Sequence, residues 1–557
     1  MNKKLKMLTA MMLLGSILLT SMPVHAATEI PEETNITEQE ATNEIGKNII
    51  PINDSYNIND AINMDVTTKA ALQYEDKVKA ENEDKKLTIM FYCDADNNLE
   101  PNLLLDLQEM KEGYVDNPNL NLIALVDRNE GYSNDSSVLG EDFSDTRMYK
   151  IERNKAIRID GGNEFSEITK TSDYEANMGD ANTLKKFIDS CKDQYPADKY
   201  ALIVSNHGGG ARDDKKEEEV KNPKAVCWDE TDDNDCLYTA EITDTLTEDE
   251  SVDVLAYDAC LMGTAEVAYQ YRPGNGSFSA NVMVASAPVV WGYGFDYKKI
   301  FSRLKSGGGD NGTRDLTLGG REKYFDPSKV TDLELGAIMV EAQRDSVKKA
   351  NVNNQALSCF DLRKIENVKD SVDELSRALW KENKKADIEN LRGKNRKVNL
   401  INYFNQNSSA EWMAYPYFDL YDLCQSITES YNFSDNIKDL AKKVMKNVDN
   451  TIVYSYAGSK FKGFTEGKNG MSIFLPDGNK IYTDSFSYIS FPCWQGQSWY
   501  NSIDTTIIKD NYLYGKLSWC KDGQTPKIND VGNWFELLDC WFDTSNDETG
   551  GVNRYQW

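Results

Sequence analysis

Histidine is almost missing from this chain. Its 557 residues include two, His25 and His207. That scarcity excludes most zinc chemistry, which draws on several imidazoles or on paired Cys-x-x-Cys ligands, and no such cysteine pair occurs. A run long enough to cross a bilayer is also missing, because the apolar stretch from Met7 to about Leu19 is short for a span. Positive charge is scarce: 62 Lys and Arg stand against 91 Asp and Glu, a formal charge of −29. A chain of that sign repels a phosphate backbone, which argues against a nucleic-acid partner. No Gly-x-Ser-x-Gly elbow occurs, which argues against a serine hydrolase. What remains, at 40% hydrophobic residues, is enough apolar material for more than one buried core.

The N-terminus reads as a secretory signal peptide over residues 1–26. Lys3, Lys4 and Lys6 precede the apolar run, and Val24-His25-Ala26 gives the small-x-small cleavage pattern before Ala27. Losing that segment removes three lysines and no acid, taking the charge from −29 to −32, and leaves His207 as the one imidazole. A secreted, extracellular protein with no membrane association after signal removal is therefore expected. Ten cysteines, an even number, permit five disulfides in an exported chain, although their spread is unlike a small stapled framework.

Residues 27–85 are polar and poor in aromatics, as in an acidic leader or pro-segment. From Leu87 onward strand-length apolar runs alternate with helical spacing. Strands are expected at Leu87–Tyr92, Leu120–Val126, Tyr200–Val204, Val252–Tyr257 and Val282–Ala285. Helices are expected at Leu103–Met110, Thr183–Tyr195, Thr239–Leu246 and Gly263–Tyr271. This alternation predicts an α/β fold, a mainly parallel sheet flanked by helices. It covers 86–365, with an additional C-terminal α+β domain over 366–557.

Reacting groups in such a sheet collect at the carboxyl ends of the strands. One strand delivers His207 ahead of Gly208-Gly209-Gly210; another delivers Cys260 ahead of Leu261-Met262-Gly263. Singly, such a cysteine is ordinarily a core residue and such a histidine a loop hydrogen-bonder. Together, the sole mature imidazole and a cysteine 53 positions later occupy equivalent strand ends, which favours a dyad. His207 would then be the base and Cys260 the nucleophile, with the Gly208 and Cys260 amides as an oxyanion hole. Asp258, two residues before Cys260, is placed to pair with a basic substrate side chain; the competing role is a cap on the following helix.

Asn-His-Gly-Gly-Gly (206–210) and Asp-Ala-Cys-Leu-Met-Gly (258–263) resemble the two active-site segments of the clostripain family of secreted cysteine peptidases. Thr88–Glu100 (TIMFYCDADNNLE), Met178–Thr183 (MGDANT), Gly292–Tyr297 (GYGFDY) and, more loosely, Gly470–Pro476 match in order. The resemblance implies a caspase-like fold, the His207/Cys260 dyad, cleavage after Arg or Lys selected by Asp258, and self-processing between the two strands. One departure is Ala287-Pro288 after Ser286, where many relatives carry acids.

The loop 211–225, ARDDKKEEEVKNPKA, is polar enough to be exposed and nicked. Arg212 and Lys221 are its expected self-cleavage points, giving a light and a heavy chain that stay associated. No site residue is assigned to a metal and no cofactor is required. Calcium is the one ion left open: Asp94–Asn98 superficially resembles a calcium loop, but Leu99 and Leu105 replace the needed Gly and Glu. The acidic run Asp229–Asp235 offers another seat. The expected partners are protein or peptide substrates with basic residues. Two alternatives stand beside this: the same dyad with another specificity, and a non-catalytic secreted binding protein.

Overall fold

Apolar runs bounded by turn residues build a sheet whose central strands are covered on both faces. A computed structural model describes residues 86–211, 225–290, 292, 294–306, 325–350, 352–393, 400–403, 416–476, 514–527 and 530–542. The signal peptide, the leader, Arg212, Lys221 and Cys493 lie outside the described residues. Among these are strands β1 (Leu87–Ala95), β2 (Leu120–Arg128), β3 (Thr146–Glu152), β4 (Lys155–Ile159), β5 (Lys199–Ser205), β6 (Val226–Asp229) and β7 (Asp235–Leu237). They continue with β8 (Val252–Asp258), β9 (Ala280–Ala285), β10 (Ala356–Asp361), β11 (Tyr417–Asp419), β12 (Ile452–Ala457) and β13 (Ser472–Phe474).

Nine of these form one sheet in the order β12-β10-β9-β8-β5-β1-β2-β3-β4. The five strands β9, β8, β5, β1 and β2 pair in parallel. Antiparallel strands close both edges: the β3–β4 hairpin on one side, β10 and β12 on the other. The mainly parallel α/β sheet expected from the alternation is present. The hairpin, β10 and β12 were not expected, because each is short and carries polar residues that blur the apolar runs. Since β12 lies beyond residue 365 and pairs with β10, the sheet draws on both sides of that position.

All nine residues of β1 are buried, which is why it reads as a continuous apolar run rather than an alternating one. Met90 and Tyr92 face one core; Ile89, Phe91 and Cys93 face the other. The first core is covered by the helix Ala181–Gln194, through Leu184, Phe187 and Ile188, and by the helix Ile365–Lys381, through Val368 and Val372. The second is covered by the helix Glu100–Gly113, through Leu103, Leu107 and Met110, and by the helix Asp332–Lys349, through Leu335 and Ile338. Local sequence starts these helices: Asp180 accepts from the Asn182 amide, and Thr331 with Glu334 forms a capping box.

With six of the ten cysteines free among the described residues, the full set of five disulfides that the count permits is not formed. Cys93, Cys191, Cys227, Cys359, Cys424 and Cys520 are buried free thiols, packed into the cores as small hydrophobes.

Candidate active site

The strands that end in the two singled-out segments are neighbours. β5 and β8 pair in parallel with Ser205 opposite Asp258, so His207 and Cys260, each two residues further on, emerge at one edge of the sheet. Glycine lets the two ends close together: a Cβ on Gly208 would stand 2.4 Å from the Cys260 carbonyl oxygen and 2.8 Å from its amide nitrogen. Any other residue would push the His207 segment off the Cys260 backbone.

The histidine is held from several sides. Its Nε2 lies 2.8 Å from Asn98 Oδ1, and its ring packs against Trp228 at 5.5 Å between centroids. Asn206 donates from Nδ2 to Asp94 Oδ2 at 2.8 Å, tying the end of β5 to that of β1, while its Oδ1 accepts from the Trp228 amide. Tyr417 donates its hydroxyl to the Gly209 carbonyl at 3.0 Å. Thus a residue distant in sequence braces the glycine segment.

Cys260 is half-buried, with Sγ 3.5 Å from the Val290 carbonyl oxygen. Leu261, next in the chain, sits at φ 65°, a left-handed conformation that costs a branched side chain on the order of 1 kcal/mol. The turn is pinned by bonds from the Leu261 amide to the Pro288 carbonyl and from the Gly263 amide to the Ser286 carbonyl. The next helix begins only at Ala265, capped by Thr264. The expectation of a helix starting at Gly263 is corrected by two residues, and the capping role considered for Asp258 belongs to Thr264.

Asp258 is buried at the last position of β8. Its Oδ2 accepts from the Phe295 amide at 2.9 Å and from the Tyr297 hydroxyl at 2.8 Å; its Oδ1 is buried without a hydrogen-bond partner. Burial pushes its carboxyl up to about 6, against those two donors. The period-two argument that put Asp258 and Cys260 on one side stops here, because the strand ends at Asp258 and Cys260 packs against the other core. Val290 meets Cys260, and Gly294, four positions later, meets Asp258.

Beside the His207 edge lies an acidic cluster. Ligand oxygens of Asp96, Asp127, Glu175 and Asp229 lie within 4.8 Å of one another. Asp127 Oδ1 accepts from Thr146 at 2.9 Å, while Oδ2 is buried without a partner. Burial and then the neighbouring Asp96 push Asp229 up to about 8 and Glu175 up to about 7. Of the calcium candidates read from sequence, Asp96 and Asp229 meet here. Asp127 and Glu175 were missed because they arrive from other parts of the chain. Asn98 was missed as well; its signal was present in the matched segment 88–100 but carried no assigned role.

A model of the clostripain family matches residues 91–541. The chain is 60% identical over 484 residues to clostripain of Hathewaya histolytica, covering 86% of this chain and 90% of that protein. Among solved structures, it is similar to a secreted C11 cysteine protease from Bacteroides thetaiotaomicron in complex with an irreversible peptide inhibitor, at 15% identity and a TM-score of 0.46, covering 74% of this chain and 99% of that one. An inactive zymogen C11 protease from Parabacteroides distasonis is similar at 16% identity and a TM-score of 0.46, covering 79% and 99%.

Proposed function

The chain belongs to the clostripain family and is a cysteine endopeptidase, and from that premise we propose that His207 and Cys260 are its dyad and that it cuts after a basic residue. The observation that carries this is the parallel pairing of β5 with β8, which brings the two segments to one edge. Because Nε2 of His207 is engaged with Asn98, Nδ1 is the nitrogen that takes the thiol proton, and Asn98 orients the ring. The thiolate attacks the scissile carbonyl, and the Gly208 and Cys260 amides hold the resulting oxyanion. His207 returns the proton to the leaving amine, and water then hydrolyses the acyl-enzyme. Asp258 receives the guanidinium or ammonium of the residue before the cut; its partnerless Oδ1 supports that role.

The same reading includes self-processing in the 212–224 segment, at Arg212 or Lys221. The bridge between Gly208 and Val226 supports it, since both flanks of that segment are anchored beside His207. Export through the 1–26 signal belongs to the proposal too; among the described residues no helix is long and apolar enough to cross a membrane.

Calcium fits the acidic cluster: its donors are all carboxylate oxygens, which suit a hard divalent ion, and the Asp127 Oδ2 lacks a partner. Asp96, Asp127, Glu175 and Asp229 would hold it. There it would offset their mutual repulsion and steady the turn that carries Asn98.

The test is hydrolysis of fluorogenic peptides ending in Arg, Lys, Asn or Asp, by mature protein under reducing conditions, with Cys260→Ala and His207→Ala beside it. Arg or Lys turnover, lost in both variants, is expected. Turnover of Asn or Asp peptides alone would overturn the Asp258 assignment, and turnover surviving in Cys260→Ala would overturn the dyad.

A further inference from the structure

Asp258 is not the only carboxylate at its end of the site. Asp106, on the helix Glu100–Gly113, is 2% exposed and meets it across Gly294. A Cβ on Gly294 would lie 2.6 Å from Asp258 Oδ2, and 2.9 and 3.1 Å from the two Asp106 oxygens. Both acids therefore crowd one spot, which stays open because residue 294 has no side chain; its φ of 56° also favours glycine.

Among the described residues, none of the groups that shift Asp106 or Asp258 is positively charged. The groups facing Asp106 are Asp258 on β8, Glu109 one turn along its own helix, Tyr297 and the Cys93 thiol of β1. Burial, then Asp258 and Glu109, push the Asp106 carboxyl well above its ordinary range. Two buried acids with no cation are a costly arrangement for stability alone, and a positively charged ligand relieves it. Asp106 also lines a surface depression together with Asn102, Glu109, Glu112 and Gly292. Gly292 lies between Val290, which touches the Cys260 thiol, and Gly294, which touches the acid pair. Ser286, Ala287 and Pro288 carry no carboxylate.

Resting on the assignment of Asp258 to the basic side chain, we propose that Asp106 is a second specificity-determining carboxylate, and that the Asp106–Asp258 pair selects guanidinium over ammonium. A planar guanidinium presents five donors and can serve two carboxylates at once. An ammonium is a compact, strongly hydrated charge on a shorter reach. With both acids ionised the pair binds a cation best, so KM for such substrates rises as pH falls through the pair's titration, while kcat follows the dyad.

Asp106→Asn, Asp106→Glu and Asp258→Asn are assayed with peptides ending in Arg, Lys or citrulline between pH 5 and 9. Alkylation of Cys260 by iodoacetamide reports an intact dyad. For Asp106→Asn the expected result is a rise in KM for Arg of about 10–100-fold, the range of a lost charged hydrogen bond. The Arg-over-Lys preference falls with it, alkylation is unchanged, and the acid limb of the KM profile flattens. Asp106→Glu retains cation preference with an altered Arg/Lys ratio. If Asp106→Asn alkylates normally and keeps the wild-type Arg/Lys ratio, the inference is overturned. If Asp106→Asn does not fold, an unchanged ratio in Asp106→Glu overturns it. An Asp258→Asn protein that alkylates normally and keeps the wild-type preference for Arg and Lys over citrulline would remove the underlying assignment of Asp258.

Discussion

Burial raises the Asp258 carboxyl from 3.8 to about 6, so the folded protein binds that proton more tightly than the unfolded chain does. Stability therefore declines as pH rises from about 4 to about 6, and the full penalty persists above that window. At about 1.4 kcal/mol per unit the penalty is on the order of 3 kcal/mol. Asp258→Asn keeps an oxygen for the Phe295 amide and the Tyr297 hydroxyl and removes the desolvated charge. It is expected to melt higher than wild type at pH 7.5, with the gap closing towards pH 4, while losing turnover of Arg peptides. Melting curves at the two pH values check this; a lower melting point at pH 7.5 would contradict it. His207, Cys260 and Asp258 could be picked out from residue type and spacing, because the sole mature imidazole and a cysteine stand at equivalent ends of two apolar runs. Asn98 and Asp106 could not, since an asparagine in a turn and an aspartate on a helix are common, and only their neighbours make them unusual.

Strands β1, β2, β5 and β8 were legible as apolar runs, β6 was not, and Leu184, Phe187, Ile188 and Cys191 mark the buried side of the helix Ala181–Gln194. What spacing along one element cannot supply is which elements end together. The acidic cluster joins Asp96 after β1, Asp127 on β2, Asp229 on β6 and Glu175 from a connecting segment. Raised carboxyls of this kind cost stability when ionised, and a bound cation offsets that cost. Calcium at many times its dissociation constant is expected to raise the melting temperature by a few degrees at pH 8. The shift should fade towards pH 5.5, as Asp229 and Glu175 take up protons, and vanish in Asp127→Asn. Calorimetric titration of calcium into the Cys260→Ala protein reads binding without activity; equal affinity in Asp127→Asn would place the ion elsewhere.

The sheet also bears on the fate of the chain after a cut. A break between 212 and 224 would leave β1–β5 on one fragment and β8, β9, β10 and β12 on the other, yet β5 and β8 pair side by side at the centre. Separation would open the sheet and both cores, so the fragments should stay together. Purified wild type is expected to show two bands on a reducing denaturing gel and one particle by size exclusion, with Cys260→Ala intact. Equal nicking of both proteins would mean that another protease cuts the segment. Beyond residue 365 the chain was the least readable region. There β12 and Tyr417 contribute to the sheet edge and to the Gly209 brace, roles set by partners more than 90 positions away.

Composition and local pattern alone establish an alternating α/β chain, its central strands and the two segments bearing His207 and Cys260. They do so because burial on both faces demands continuous apolar runs, and reacting groups in an open α/β sheet collect at the carboxyl ends of its strands. Pairing order, the Gly208 contact, the Asn98–His207 bond and the meeting of Asp106 with Asp258 arise only on folding. They depend on long-range packing, which no periodicity within a single element records.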